Sequence, residues 1–409
     1  MSLDIWMFLG QINAFETEGA NAVLDRLQGV GINTIVLGDL IIEGKPAYPA
    51  HPELYEGCET TPPAMPAENN SGFHILQSAL AEAKSRGFRI LLHDWGQGAP
   101  GCISNPEKRT YGSARSIDVL QSFPQVDGLI LDGPEWGYEI EPGHRSDLFK
   151  CECEHCRKLA AGLGYDFDLL LAARDRLRAR LQCISRIPSG RRERGLVDGL
   201  DLFIGDPDLI DWFRFKTDAV ESLLKAFAQT ARSLDPARLI ACGPRLPAFA
   251  PLTGYNFGRL DRIVDFQCPK LYFWQHGVDG LKGTLYRWVQ TLCEWNPGLS
   301  EPEAFDRVRE LFALWIPGVT ALGQLDAPLP PAFFTRVVQS EIAKMQERIG
   351  DVSRIRPWMG LHHGGVRLGS GELENLLRTV VDGGLQSLIY WHYSDMLDSD
   401  WEVVRRFVG

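Results

Sequence analysis

Short apolar runs alternate with amphipathic helical patterns along the whole chain, and this rhythm constrains the fold more than any other feature. A βαβα order lays consecutive strands side by side in a parallel sheet. Eight runs qualify: Ile5 to Gly10, Thr34 to Gly38, Arg89 to His93, Gly128 to Asp132, Leu239 to Gly243, Val264 to Tyr272, Trp358 to His362 and Leu385 to Trp391. Most are continuously hydrophobic, as strands buried on both faces must be. Between them, Ala20 to Gly29, His74 to Gly87, Pro207 to Leu234 and Gly371 to Asp382 carry apolar residues at three- and four-residue spacing. An open doubly wound sheet would show a Gly-rich phosphate loop after its first strand. Here Gln11-Ile12-Asn13-Ala14-Phe15 follows instead, so the expected fold is an α/β, (β/α)₈ TIM barrel.

The 409 residues do not demand a split, because such barrels grow by elaborating their loops, and one domain over residues 1–409 is expected. Two insertions depart from the minimal repeat, at about residues 40–72 after the second strand and 133–205 after the fourth. Both would rise over the carboxyl-terminal face, where barrels build their sites.

A formal net charge of −11 opposes binding to nucleic acid or anionic membranes. The one basic run, Arg186 to Arg194, reads as a solvated loop. The amino terminus has Asp4 where a secretion signal wants a cation, and no segment approaches the roughly 20 apolar residues of a membrane span. A cytoplasmic protein is expected, with its oligomeric state open. Nine cysteines include the cluster Cys151-Glu152-Cys153-Glu154-His155-Cys156, whose spacing is too tight for mutual disulfides and suits a metal. Cys183, Cys242, Cys268 and Cys293 read as buried thiols.

Polar residues at the carboxyl ends of barrel strands are the catalytic candidates, since strand interiors fill the core. These ends supply Asp39, His93, Asp94, Asp132, Glu135, Arg245, Lys270, Tyr272, His362, His363, Trp391, His392 and Asp395. The richest is Leu131-Asp132-Gly133-Pro134-Glu135-Trp136-Gly137. An apolar strand delivers Asp132 to its tip, a Gly-Pro turn redirects the backbone, and Glu135 follows beside an indole. A carboxyl against an indole is poorly solvated, which raises its pKa and suits a general acid. Trp136 would also offer a face on which a sugar ring stacks.

Glu135-Trp136-Gly137 followed by Cys151-x-Cys153-x-x-Cys156 resembles the clan A β-galactosidases of glycoside hydrolase family forty-two. The resemblance covers residues 91–224, where Asp206 to Phe215 looks like the helix that follows in such enzymes. It implies a carbohydrate substrate, Glu135 as acid/base, and Cys102, Cys151, Cys153 and Cys156 as ligands of a structural zinc, with Cys58 and His155 as alternative fourth ligands. Two departures stand out. Pro134 occupies the place of the family's asparagine, and Trp358 to Gly365 contains no acid where the family has its nucleophile.

The second carboxylate is therefore left open among Asp94, Asp395 and Asp326 on other strands. Alternatively Asp132 itself pairs with Glu135, as in substrate-assisted enzymes acting on N-acetylated sugars. Asp39, His93, Trp136, Arg245, Lys270, Tyr272, His362, Trp391 and His392 are expected to bind substrate. Two other readings remain: a catalytic divalent metal gathered by His93, Asp94, His362, His363, His392 and Glu135 for a sugar isomerase or hydrolase, and a non-catalytic carbohydrate-binding barrel.

Overall fold

The computed structural model describes residues 2–10, 12–38, 40–42, 45–62, 64–95, 101–186, 205–271, 280–362 and 367–408. Eight strands form one parallel sheet: β1 (Asp4–Phe8), β2 (Thr34–Leu37), β3 (Arg89–Trp95), β4 (Gly128–Asp132), β5 (Leu239–Cys242), β6 (Phe266–Gln267), β7 (Trp358–Gly360) and β8 (Ser387–Trp391). Their order is β6-β5-β4-β3-β2-β1-β8-β7. The two edges meet through parallel bridges, Gln267 to Ile355 and Lys270 to Trp358. There Trp358 donates its N–H to the Pro269 carbonyl at 2.9 Å and Leu271 donates to the Trp358 carbonyl at 3.0 Å. The result is a TIM-barrel-like α/β fold, and each apolar run read from the sequence holds one strand.

The sixth strand is shorter than its run. Pro269 carries no N–H for the ladder, so regular pairing stops at Gln267 and resumes beyond it as a single bridge.

Helices cover the outside of the sheet. The longest, Pro207–Leu234, buries Leu209, Trp212, Phe215, Ala219, Leu223 and Phe227, the three- and four-residue spacing that makes a stripe. Among the described residues no helix is long and apolar enough to cross a membrane.

Inside the sheet, side-chain alternation decides what reaches the mouth. Trp6, Phe8, Val36, Leu91, Ile130, Ala241, Cys268, Trp358 and Ile389 form a separate apolar cluster drawn from all eight strand regions, the filling of the barrel. Two residues further along, the same faces present His93 above Leu91, Asp132 above Ile130, Gly243 above Ala241, Lys270 above Cys268, Gly360 above Trp358 and Trp391 above Ile389. Period-two geometry thus builds the floor of the mouth from the sequence positions just beyond the core.

The loop after β2 carries a two-residue antiparallel ribbon, Ile41–Ile42 against Lys45–Pro46. It is pinned to helix Pro106–Ser122 by buried Asp118, which accepts from the Tyr55 hydroxyl at 2.9 Å and the His51 N–H at 3.2 Å. The loop after β4 contributes helices Glu154–Leu163 and Phe167–Leu181. Residues 187–194 of the basic run lie outside the described residues.

Candidate active site and cysteine cluster

β4 ends on Asp132, which is 3% exposed. Gly133, at φ +104°, takes the left-handed conformation that turns the chain away. Lys270 Nζ lies 2.6 Å from Asp132 Oδ1, and His93 Nε2 lies 2.9 Å from Oδ2. Burial alone would raise this carboxyl's pKa. The opposing pull of Lys270, His93 and Arg245 wins and holds it well below the ordinary carboxylate range. Asp132 is therefore an anion at neutral pH, suited to stabilising positive charge or attacking as a nucleophile rather than to delivering a proton. Gly243 leaves the space for it: a Cβ there would stand 3.0 Å from Asp132 Oδ1.

Three residues on, half-buried Glu135 is gripped by Arg245. The Arg245 Nε donates at 2.9 Å and 3.0 Å to the two carboxylate oxygens, and Nη2 donates to Oε1. The guanidinium carbon sits 5.1 Å from the Tyr138 ring centroid, so a π face backs the cation. Arg245 and Lys270, expected to bind substrate directly, are each engaged with a carboxylate of the same site.

Trp136 corrects the sequence reading. Its ring is 6% exposed, packs 5.9 Å from the Phe215 ring, and donates its indole N–H to the Lys216 carbonyl at 3.1 Å. The chain leaves the β4 turn with successive side chains facing opposite ways, so Trp136 enters the core beneath helix Pro207–Leu234 while Glu135 meets Arg245. No sugar can stack on that indole, and the neighbour that sets Glu135's electrostatics is a cation rather than an indole.

A different aromatic wall stands beside Asp132. Trp391 stacks on Phe8, with centroids 4.3 Å apart and planes within 9°. His93 and Trp358 meet edge to face at 5.2 Å. His392 follows, edge-on to Phe8 at 5.2 Å and so close above Gly10 that a Cβ there would collide with its ring. Burial lowers the His392 pKa despite the opposing charge of Asp395, so the ring is neutral at pH 7. Asp395 pairs with His362 at 4.0 Å, joining the ends of β7 and β8. The backbone of Asp94 is in register with Leu131, but its side chain lies outside what the structure describes, as do Asp39, Tyr272 and His363 altogether.

Glu139 escaped sequence reasoning. It is 0% exposed, its Oε1 accepts from Arg287 Nη2 at 2.6 Å, and its Oε2 has no hydrogen-bond partner. Burial raises its pKa to about 7 against the pull of Arg287 and Arg245. The signal was present: Glu135 and Glu139 share parity in an extended stretch whose other parity, Trp136 and Tyr138, is apolar.

The cysteines gather as expected. The sulfur atoms of Cys102, Cys151, Cys153 and Cys156 all lie within 4.8 Å of one another, while Cys58 and His155 are not in the group. Cys102 and Cys156 approach to 3.2 Å, Cys153 and Cys156 to 3.7 Å, and the Ser104 N–H donates to Cys102 Sγ. Hydrogen bonding by Cys156 draws the Cys102 thiol down to about 5, against burial and with help from Ser104. Cys153 caps helix Glu154–Leu163, and Cys156 sits in its first turn; its hydrogen bond to Cys102 and its burial push the Cys156 thiol up. Four sulfurs at these separations fit a tetrahedral ion, whose bonds of about 2.3 Å imply edges near 3.8 Å. Among the described residues no other group of His, Cys, Asp and Glu could hold a metal; His93, His362, His392 and Glu135 are not gathered into one, and the Asp94 side chain and His363, the other ligands of the isomerase reading, lie outside what is described. Cys242 and Cys268 are buried, but Cys183 is exposed and Cys293 only partly buried, contrary to expectation.

No protein-family model and no curated sequence matches the chain. Its fold matches the glycoside hydrolase domain of PgaB (BpsB) from Bordetella bronchiseptica with a TM-score of 0.57 at 10% identity, covering 100% of this chain and 99% of that one. The fold is that of barrel glycoside hydrolases. The β-galactosidase of the Antarctic haloarchaeon Halorubrum lacusprofundi matches with a TM-score of 0.53 at 13% identity, over 99% of this chain and 57% of that one. The β-galactosidase from the psychrophilic Marinomonas ef1 gives 0.51 at 10%, over 99% and 58%. The chain thus spans a little over half of those two enzymes, and its likeness to them holds at the level of fold.

Proposed function

We propose that the chain is a glycoside hydrolase that cleaves an O-glycosidic bond at the carboxyl-terminal mouth of its barrel. The observation that carries this reading is the pair of carboxylates on one turn, Asp132 and Glu135, each held by its own cation. The Phe8–Trp391 wall and the fold shared with glycoside hydrolases support it.

Glu135 acts as the acid/base. In the free site Arg245 grips it; a sugar entering between them displaces the guanidinium, and Glu135, carrying a proton taken from water, delivers it to the leaving oxygen as the glycosidic C–O bond breaks, then draws a proton from the water that adds to the anomeric carbon. Asp132, fixed by Lys270 and His93, stays charged throughout and stabilises the oxocarbenium-like transition state from below. Trp391 replaces Trp136 as the stacking face. His392, and Asp395 paired with His362, line neighbouring strand ends and contact hydroxyls. Asp39, Asp94 and Tyr272 are further candidates from the sequence. We infer also that the four cysteines hold zinc, closed to substrate and therefore structural.

Glu135→Gln and Asp132→Asn, assayed on aryl glycosides with good and poor leaving groups, test the proposal. Loss of the acid should cost about 10²- to 10⁴-fold on poor leaving groups and far less on good ones, which depart unprotonated. Loss of Asp132 should cost activity on both. Wild-type rates in Glu135→Gln on poor leaving groups, or no turnover of any glycoside by the wild type, would sink it.

A further inference from the structure

Lys216, in helix Pro207–Leu234, is 1% exposed, a place where lysine is rarely found without a charged partner. Its Nζ donates instead to two main-chain carbonyls, Leu148 at 3.1 Å and Leu252 at 3.3 Å, and rests 4.1 Å from the Trp212 ring centroid. Burial pulls its pKa down to about 7, but two carbonyls need only two N–H donors, which the neutral amine keeps. The link therefore holds in either charge state.

The two carbonyls belong to different loops. Leu148 closes the loop after β4, where its N–H donates to the Glu139 carbonyl at 2.8 Å and the Tyr138 N–H donates to the Ser146 carbonyl at 2.8 Å. Tyr138 is the ring on which the Arg245 guanidinium rests. Leu252 lies in the short helix Ala250–Thr253 of the loop after β5, the loop that carries Arg245. Trp136, the residue after Glu135, is tied at the same junction: its main-chain N–H donates to the Thr253 carbonyl at 3.0 Å and its indole N–H to the Lys216 carbonyl at 3.1 Å. Gly254 permits the approach, since its φ is +87° and a Cβ there would stand 2.6 Å from the Lys216 carbonyl oxygen.

We propose that Lys216 is a positioning residue: by tying the loop after β4 to the loop after β5, it fixes how Arg245 meets Glu135. This rests on the reading of Glu135 as the acid/base. Glu135 and Arg245 come from different loops, so their bidentate contact keeps its geometry only while the two loops keep their spacing. Lys216 spans that gap with both its side chain and its carbonyl, and it touches neither member of the pair. Proton delivery needs the carboxyl within hydrogen-bond reach of the leaving oxygen, and a displacement of about 1 Å costs on the order of 10²-fold in rate. Loss of the span loosens this alignment without removing any group that reacts.

Lys216→Met in the full chain, which keeps the apolar stem and removes the donors, tests this with two readouts. On aryl glycosides with poor leaving groups kcat should fall about tenfold with KM little altered, and on good leaving groups, which need no acid, it should fall far less. A merely structural role would lower the folded fraction and both substrates alike, so equal losses overturn the proposal. In the Glu135→Gln background the substitution should add nothing further on poor leaving groups; an undiminished effect there also overturns it. The second readout is hydrogen exchange of the Arg245 Nε–H by NMR, which should be slow in the wild type and faster in the variant as the grip on Glu135 loosens. Unchanged exchange in folded Lys216→Met, or in Lys216→Gln with its shorter reach should the first variant fail to fold, refutes the positioning role. Rapid exchange of that N–H in the wild type refutes it without any variant. Faster exchange on substitution in a chain that turns over no glycoside would instead overturn the hydrolase reading and leave the link between Lys216 and the pair standing.

Discussion

Replacing Lys270 by Met removes the closest cation from Asp132 while keeping a long apolar stem in its place. Both groups are 3% exposed, and their charged atoms lie 2.6 Å apart. Breaking a buried pair from one side strands the other charge, at a cost of about 3–5 kcal/mol. His93 remains bonded to the far oxygen, which argues for the lower part of that range. The pH dependence has a definite sign. Asp132 is depressed in the folded state, so its contribution to stability is present above the unfolded carboxyl value of about 3.9 and is lost as pH falls through the folded value. In Lys270→Met the depression weakens, and the gap between variant and wild type should hold above the unfolded value of about 3.9 and narrow as pH drops below it. Denaturant unfolding at several pH values measures it. Asp132→Asn combined with Lys270→Met should recover most of the loss, because the stranded charge is gone. A single variant within about 1 kcal/mol of wild type at pH 7 would refute the buried-pair argument.

Two further outcomes are expected. Metal analysis of the purified chain should find one zinc per molecule; Cys156→Ser should lose it, and with it thermal stability. Trp136→Phe should cost about 1–3 kcal/mol through the lost bond to the Lys216 carbonyl, with KM unchanged, since the ring is core; a raised KM with unchanged stability would return Trp136 to the substrate.

The barrel was legible because its signal is collective. Eight apolar runs at helical intervals leave few topologies, and one lost ladder residue at Pro269 does not disturb them. The cysteine cluster was legible for another reason: thiols at that spacing have few other uses, and the resemblance put Cys102 ahead of Cys58 and His155, as the structure gathers them. The site was read unevenly. Strand-end positions such as His93, Asp132, Lys270 and Trp391 follow from period two, and the structure gathers them at the floor of the mouth. Partnerships do not follow. Adjacency in sequence suggested Trp136 for Glu135, whereas the neighbours turn to opposite sides and the true partner, Arg245, arrives from the loop after β5, 110 residues away. Glu139 shares the parity of Glu135, but its partner Arg287 comes from a helix after β6 that no local pattern connects to it.

The cysteines also bear on the order in which the site is assembled. Cys102 and Cys156 are 54 residues apart, and the chain between them contains all of β4 with Asp132 and Glu135. An ion held by them closes that span into a ring, and a cross-link over a loop of this length removes about 4 kcal/mol of conformational freedom from the unfolded chain. With an ion bound there, the segment that bears both carboxylates would be restricted in the unfolded chain, and metal supply would bear on how often a newly made chain reaches a complete site.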